Sequence, residues 1–298
     1  MAKRKKIAFI INPVAGGGNK KHLPAKIEKH IDYNLYKPDI VFTSYSGHAA
    51  QLASGFRDLN YHLVVAVGGD GTTNEIASTL TGGKTALGII PSGSGNGLAR
   101  HLKIPFSVNL SMQIINKSRT AKIDVGKIND KYFFCTCGIG FDAVIGHRFA
   151  TQPERGIQSY VGAVINELFS YRPQEYTIKM DGAEIKRNAF LITFANASQY
   201  GNNAFIAPKA DICDGLMDVC IVAPFPLIKA VDLSFKLFNK QVHKFDHIEF
   251  LKARRITIKR QESGEVHFDG EPAQMGKKLK IRIYHKRLNV VVPPDFVN

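Results

Sequence analysis

Two hydrophobic rhythms divide this chain of 298 residues. In the first third, solid apolar runs alternate with stretches whose apolar residues return every third or fourth position. The runs 6–12 (KIAFIIN), 39–43, 63–67 and 85–90 predict strands. Pro13 and a glycine run close the first, Gly68-Gly69 the third and Pro91 the fourth. Leu23, Ile27 and Ile31, spaced by four, predict a helix, and the stretches 47–56 and 72–80 predict two more. Strand and helix in turn predict a mostly parallel sheet covered on both faces.

The rhythm changes near Asp124. Tyr176, Ile178 and Met180 stand between polar neighbours, as do Ile256 and Ile258, and Leu279, Ile281 and Ile283. This alternation predicts antiparallel strands with one wet face, assembled as a β-sandwich or barrel. Two helical candidates interrupt it. One is 157–169, where Ile157, Val161, Val164 and Leu168 have the spacing of an amphipathic core helix; the other is 227–238. The domain boundary is expected between Thr120 and Lys131. The organisation is therefore an α/β N-terminal domain with a parallel sheet, 1–125, with 288–298 as a candidate completing segment, and a β-rich domain, 126–287.

Composition narrows the class. Hydrophobic residues at 44% and charged residues at 22% fit a globular chain. Lys and Arg number 40 against 25 Asp and Glu, a net charge of +15. Such a surface suits nucleic acid, an anionic membrane face or a phosphorylated substrate. No apolar run is long enough to predict a spanning helix. The run 7–11 behind the basic N-terminus is shorter than a secretory h-region, so no cleaved leader is expected. Cys135, Cys137, Cys213 and Cys220 show no C-x-x-C spacing and predict buried reduced thiols in a cytosolic protein.

Two glycine loops carry the candidate chemistry. Residues 64–74 read VVAVGGDGTTN, an apolar strand, a glycine turn with one aspartate, then a helix start. Residues 88–98 read GIIPSGSGNGL, again a strand entering a glycine turn. In a parallel sheet such turns lie at the C-terminal strand edge, where ligands bind. Glycine admits a phosphate close to the backbone, and helix-start N–H groups attract it. The loop 12–19 offers a third set of donors. Neither the P-loop pattern nor the dinucleotide fingerprint is satisfied, since Leu98 occupies the third glycine position of the latter. Lys20, Lys21 and Arg100 flank these loops, and Lys209 lies further on; each reads first as ordinary surface charge.

The segment GGDGTTNE, 68–75, resembles the nucleotide loop of the diacylglycerol kinase and sphingosine kinase superfamily and, more distantly, of NAD kinases. Asn12-Pro13, Thr43 with Gly47-His48-Ala49, the loop 91–96 (PSGSGN), the segment 211–216 (DICDGL) and Asp269-Gly270-Glu271 match further family elements in family order. The resemblance is specific to the bacterial lipid kinase branch, a diacylglycerol kinase-like family, and implies an NAD kinase/diacylglycerol kinase-like fold. It implies that ATP contacts Asn12, Thr43, Gly68, Gly69, Asp70, Gly71, Thr72, Thr73, Asn74 and Ser94. A carboxylate beside a triphosphate needs a cation between them, which points Asp70 at Mg²⁺. The family pairs that aspartate with Asp124 and with a further aspartate at a position that is Gly97 here.

For catalysis the family uses Asp269 and Glu271, one as general base on the lipid hydroxyl, in the cleft between the domains. On a strand-like segment, residues two apart point both carboxylates to one face; read alone, Asp269-Gly270 is also an ordinary hairpin turn. Asp211, Asp214 and Asp218 could bind a hard cation or form a solvated turn. The resemblance implies a structural Mg²⁺ held by Asp211, Asp214 and the Leu216 carbonyl. The expectation is an ATP- and Mg²⁺-dependent lipid kinase of lipid metabolism and phospholipid biosynthesis. It would be cytoplasmic, peripheral at an anionic inner membrane face, with diacylglycerol or a sphingoid-type long-chain base as acceptor; a homodimer is a candidate assembly. No nucleic-acid partner is expected, because no RNP, KH or basic-zipper signature occurs. The alternatives are an NAD kinase-like phosphotransferase and a non-catalytic nucleotide- or nucleic-acid-binding protein.

Overall fold

The structure is a computed structural model that describes residues 4–17, 20–151, 167, 168 and 170–296. Of the helical candidate 157–169, all but Glu167 and Leu168 lies outside the described residues. The chain forms two compact units, Met1–Val125 with His285–Asn298, and Gly126–Tyr284.

In the first unit, strands β1 (Lys5–Ile11), β2 (Tyr36–Phe42), β3 (Leu63–Gly68) and β4 (Ala86–Pro91) are parallel in the order β2-β1-β3-β4. The apolar runs of β1, β3 and β4 are solid because both faces of these strands are covered. Strand β2 starts three residues before the expected run. Pro38 within it is tolerated at the sheet edge, where its missing N–H costs no ladder bond. Tyr36, fully buried, anchors this early start by donating its hydroxyl to the Ile115 carbonyl at 3.2 Å.

Helices α1 (Leu23–His30), α2 (His48–Asp58), α3 (Asp70–Leu80), α4 (Gly97–His101) and α5 (Val108–Lys117) complete the unit. Leu23 and Ile27 of α1 and Met112 and Ile115 of α5 pack with Ile7, Phe9, Ile11, Val65 and Val67 in one core. Strand β5 (Thr120–Ile128) leads out of the unit, and the C-terminal part of β16 (Lys278–Val291) returns beside β4, pairing Val290 with Leu87.

The second unit holds β6 (Lys131–Phe133), β7 (Thr136–Gly140), α6 (Phe141–Thr151), β8 (Gln174–Met180), β9 (Ala183–Ala189), β10 (Leu191–Ala195) and β11 (Met217–Val222). Then come α7 (Ala230–Phe238), β12 (Ile248–Ala253), β13 (Arg255–Arg260), β14 (Gly264–Phe268), β15 (Glu271–Met275) and the N-terminal part of β16. One antiparallel sheet has the order β12-β11-β10-β7-β14-β15 and six strands. Facing it, β9, β8, β13 and β16 pair antiparallel, with Ile258 opposite Ile178 and Leu279. Cys137, Ile139, Ile192, Phe194 and Val219 of the first sheet meet Tyr176, Ile178, Ile256, Ile258, Leu279 and Ile281 of the second. This is the β-sandwich that the alternation predicted. The outer face of the six-stranded sheet carries a second core, where Leu191, Cys220 and Val222 pack under Leu233, Val242 and Phe245. All four cysteines are buried and outside any disulfide.

Candidate functional site

Neighbouring parallel strands bring their C-terminal ends to one edge, so β1, β3 and β4 deliver the loops 12–17, 68–74 and 92–97 side by side. The loops interlock. Asn12 donates through Nδ2 to Thr72 Oγ1 at 3.0 Å, and Lys20 Nζ reaches the Ser92 carbonyl at 3.4 Å. Asp70 accepts the N–H groups of Asn96 and Gly97, both at 2.7 Å, one on each carboxylate oxygen. Arg100 Nε donates to the Gly95 carbonyl at 2.8 Å, while the guanidinium lies over the Phe106 ring.

The glycines have a packing reason here. A Cβ on Gly93 would stand 2.5 Å from Gly69 Cα, and one on Gly95 would stand 2.5 Å from Asp70 Oδ2. A Cβ on Gly16, at positive φ, would strike the Ser92 carbonyl oxygen. Helix α3 opens on Gly69, which has no side chain to cap it. The first-turn N–H groups therefore keep their positive end for a ligand at this edge.

Several predicted contacts are turned to other work. Thr72 and Thr73 are buried; Thr72 Oγ1 receives Asn12, and Thr73 Oγ1 donates to the Gly69 carbonyl at 2.9 Å. Asn74 Oδ1 accepts from Ser78. Thr43 is buried at the end of β2, with its N–H on the Ile11 carbonyl. These side chains brace the loops, whereas Ser94 is exposed.

Asp70, expected as a Mg²⁺ ligand, ties the third loop to the second. Burial pushes its pKa up, while the N–H bonds from Gly97 and Asn96 pull it back. Asp124 is fully buried on β5 and accepts Lys286 N–H at 2.6 Å, with His285 Nδ1 at 2.9 Å. It fastens the returning C-terminal segment. Both oxygens of Asp70 and Oδ1 of Asp124 accept bonds within the chain.

In the second unit, the placement of Asp269 corrects the expectation of two carboxylates on one strand face. Phe268 pairs with Glu271, so Asp269-Gly270 is a two-residue hairpin turn between β14 and β15, with φ values of 50° and 85°. Both residues adopt left-handed backbone, as the I′-type hairpin requires. The Asp269 carboxylate accepts three consecutive backbone N–H groups, Phe134 at 2.8 Å, Cys135 at 2.7 Å and Thr136 at 3.1 Å. It is a fixed negative charge held at the start of β7. Glu271 is exposed at the first position of β15.

Asp211 and Asp214 each close a turn through Oδ1, onto Cys213 N–H and Leu216 N–H, both at 2.8 Å. Lys252 then takes the cation's place, its Nζ 2.8 Å from Asp214 Oδ2 and 3.7 Å from Asp218. Burial pushes the Asp218 pKa up, and the nearby ammonium counters it. No group of three or more His, Cys, Asp or Glu among the described residues is arranged to hold a metal. Asp211, Asp214 and Leu216 thus lie together in one segment of turns, with Lys252 supplying positive charge beside it.

Sequence reasoning missed three features. Glu75 of α3 caps the start of α2, accepting Gly47 N–H at 2.9 Å and Ala50 N–H at 3.3 Å. Arg260 is buried and its guanidinium donates to the carbonyls of Gly264, Glu265, Met275 and Gly276, clamping the base of the Asp269 hairpin. Asp142 Oδ2 gathers Thr193 Oγ1 at 2.9 Å, Tyr200 OH at 3.2 Å and His267 Nε2 at 3.0 Å. Burial first, and the Asp142 charge second, push the Tyr200 phenol well above its usual pKa. The only sequence signal for these was a charged or polar residue inside an apolar run, which names no partner.

The chain therefore combines a parallel-sheet unit, whose loops interlock at one strand edge, with an antiparallel sandwich unit. The comparisons make the class specific. Residues 6–128 match the family of the diacylglycerol kinase catalytic domain, and residues 136–292 match the YegS C-terminal NAD kinase beta sandwich-like domain. A diacylglycerol kinase of Bacillus subtilis is 26% identical over 98% of this chain and 97% of its own length. The crystal structure of a diacylglycerol kinase from Bacillus anthracis superposes with a TM-score of 0.76 at 24% identity, with both chains covered in full. An NAD kinase from Archaeoglobus fulgidus in complex with ATP superposes with a TM-score of 0.54 at 13% identity, over 96% of this chain and 93% of that one. The two superpositions establish the fold. The chain belongs to the bacterial diacylglycerol kinase-like lipid kinase family, and is a kinase by that membership.

Proposed function

We propose that this kinase transfers the γ-phosphoryl group of MgATP to the hydroxyl of a lipid alcohol, diacylglycerol or a sphingoid-type long-chain base. The observation that carries the reading is the edge where three loops interlock beside the uncapped N-terminus of α3. Backbone N–H groups of this kind suit phosphate oxygens, and Lys20 and Arg100 add positive charge on the same loops. Mg²⁺ enters as part of the nucleotide substrate, beside loops that Asp70 ties together through both of its oxygens.

In the transfer, the bond from the γ-phosphorus to the β,γ-bridging oxygen breaks and the bond from the lipid oxygen to phosphorus forms. ADP leaves, and the hydroxyl proton passes to a carboxylate. The pair Asp269 and Glu271 supplies that carboxylate and its neighbouring fixed charge. Positioning and charge neutralisation provide the rest of the acceleration. The acceptor is a lipid because full-length relatives are named diacylglycerol kinases.

The protein meets its substrate from the water side. Among the described residues no helix is long and apolar enough to cross a membrane. A cytoplasmic, peripheral enzyme of lipid metabolism is the reading that fits its buried thiols, none of them in a disulfide. A radiometric screen with γ-labelled ATP, total lipid extract and NAD in separate reactions tests the reading. A labelled, chloroform-soluble product is expected. Label transferred to NAD alone, or to nothing, overturns it.

A further inference from the structure

Helix α7 is apolar on two sides. Leu233 and Leu237 face the second core of the sandwich unit. Val231, Phe235 and Phe238, spaced by four and three, form a separate stripe on one face, and Ile228 in the preceding turn extends it. These four side chains are 75%, 63%, 58% and 84% exposed respectively. A globular surface helix needs one apolar stripe, for its core. The second stripe exposes two phenylalanines and two branched aliphatic residues to water, which is a partner surface by its chemistry.

Charge selects the partner. Lys229, Lys236, Lys240 and Lys244 belong to the same segment as the stripe, against Asp232 and Asp246, which pair with two of them. Lys240 and Lys244 are exposed beyond the C-terminal end of the helix. Phenylalanine and aliphatic residues on one side with lysines alongside is the pattern of a helix lying in the interface of an anionic bilayer. The other strongly basic surface of this unit does not share it. Lys179, Arg255, Lys259, Lys278, Lys280 and Arg282 project from the outer face of the opposite sheet, across the sandwich from α7, with no large exposed apolar side chain among them.

We infer that α7 inserts its Ile228–Val231–Phe235–Phe238 stripe into the headgroup region of an anionic bilayer, with the adjoining lysines on the lipid phosphates. The inference rests on the lipid-substrate reading for its purpose, though the binding it describes is measured without any kinase assay.

The chain has no tryptophan, so Phe235→Trp installs a single reporter without background. Vesicles of phosphatidylcholine with 30% phosphatidylglycerol are the probe, at low salt and at about 0.5 M NaCl, where the Debye length shrinks to a few ångström. The expected result is a blue-shifted emission on vesicle addition that persists in part at high salt. Ile228→Ser combined with Phe235→Ser, both at exposed sites, should weaken vesicle co-sedimentation about tenfold or more, with an unchanged melting temperature. The double variant should keep its activity on a short-chain, water-dispersed glyceride and lose it on vesicle-embedded substrate. Binding without a blue shift, abolished by salt, places the contact on charge alone and overturns the inference. A blue shift that grows with protein concentration in the absence of vesicles assigns the stripe to a second copy and likewise overturns it. A wild-type protein that phosphorylates no lipid, beside a Phe235→Trp variant that shows the blue shift on vesicles, would sink the substrate reading and leave the membrane contact standing.

Discussion

Single residues change role once their partners are known. Asp269 looked like one of a pair of strand carboxylates; it is a hairpin residue at positive φ whose oxygens hold three N–H groups. Alanine there removes the acceptor of buried donors and also strains the turn, so an activity loss would be ambiguous. Asp269→Asn keeps the turn preference and one acceptor oxygen. We expect this variant to lose turnover roughly 100-fold and to melt lower by about 1–2 kcal/mol of stability in denaturant titration. Glu271→Gln, exposed, should lose a comparable share of turnover with its melting temperature unchanged. Full activity in both would remove the carboxylate pair from the mechanism.

Lys252 gives a second residue-level test. Lys252→Met leaves Asp214 and Asp218 without their counter-charge. The pair is partly exposed, so solvent discounts the cost to about 1 kcal/mol. The vacated carboxylates should then respond to Mg²⁺, and differential scanning fluorimetry should show the variant regaining stability in millimolar Mg²⁺ while the wild type does not. A wild type that melts earlier in EDTA would restore a metal to this loop.

At the scale of elements, the glycine loops are built by one another. Gly93→Ala forces a Cβ onto Gly69 Cα, backbone against backbone, and neither can yield as a side chain would. We expect about 2 kcal/mol or more of destabilisation and lost ATP binding by calorimetry. Gly55, inside α2 with nothing within 4 Å of a built Cβ, is the control. Gly55→Ala should stabilise the protein by about 0.5–1 kcal/mol, because alanine loses less backbone entropy on forming a helix. Equal effects at the two sites would refute the packing account. The strands and helices of the first unit were legible because solid and alternating apolar runs have different periods. The early start of β2 was not, since only burial of Tyr36 against Ile115 fixes it.

At the scale of the whole molecule, part of the positive charge is gathered on one face. Strand alternation turns Arg255, Lys259, Lys278, Lys280 and Arg282 to one outer sheet face, while Lys20 and Arg100 attend the nucleotide loops of the other unit. Substituting Lys259, Lys278 and Lys280 together with Gln should leave the kinase activity on a dispersed short-chain substrate intact. The salt dependence of any anionic-polymer binding should become shallower, readable as the slope of affinity against ionic strength. An unchanged slope would show that this face takes no part.

The sequence by itself determined the two units, the parallel and antiparallel character of their sheets, the family and the identity of the loops. These follow from periodicity and from contiguous motifs, which are local in the chain. Tertiary structure alone decided what each polar group does. Asp70 turns onto a loop 26 residues away, Asp142 draws Tyr200 from a loop and His267 from β14, and Lys252 sets its ammonium between two aspartates. A carboxylate's role depends on which donors the fold brings to its oxygens, and that choice is made by packing between segments remote in sequence.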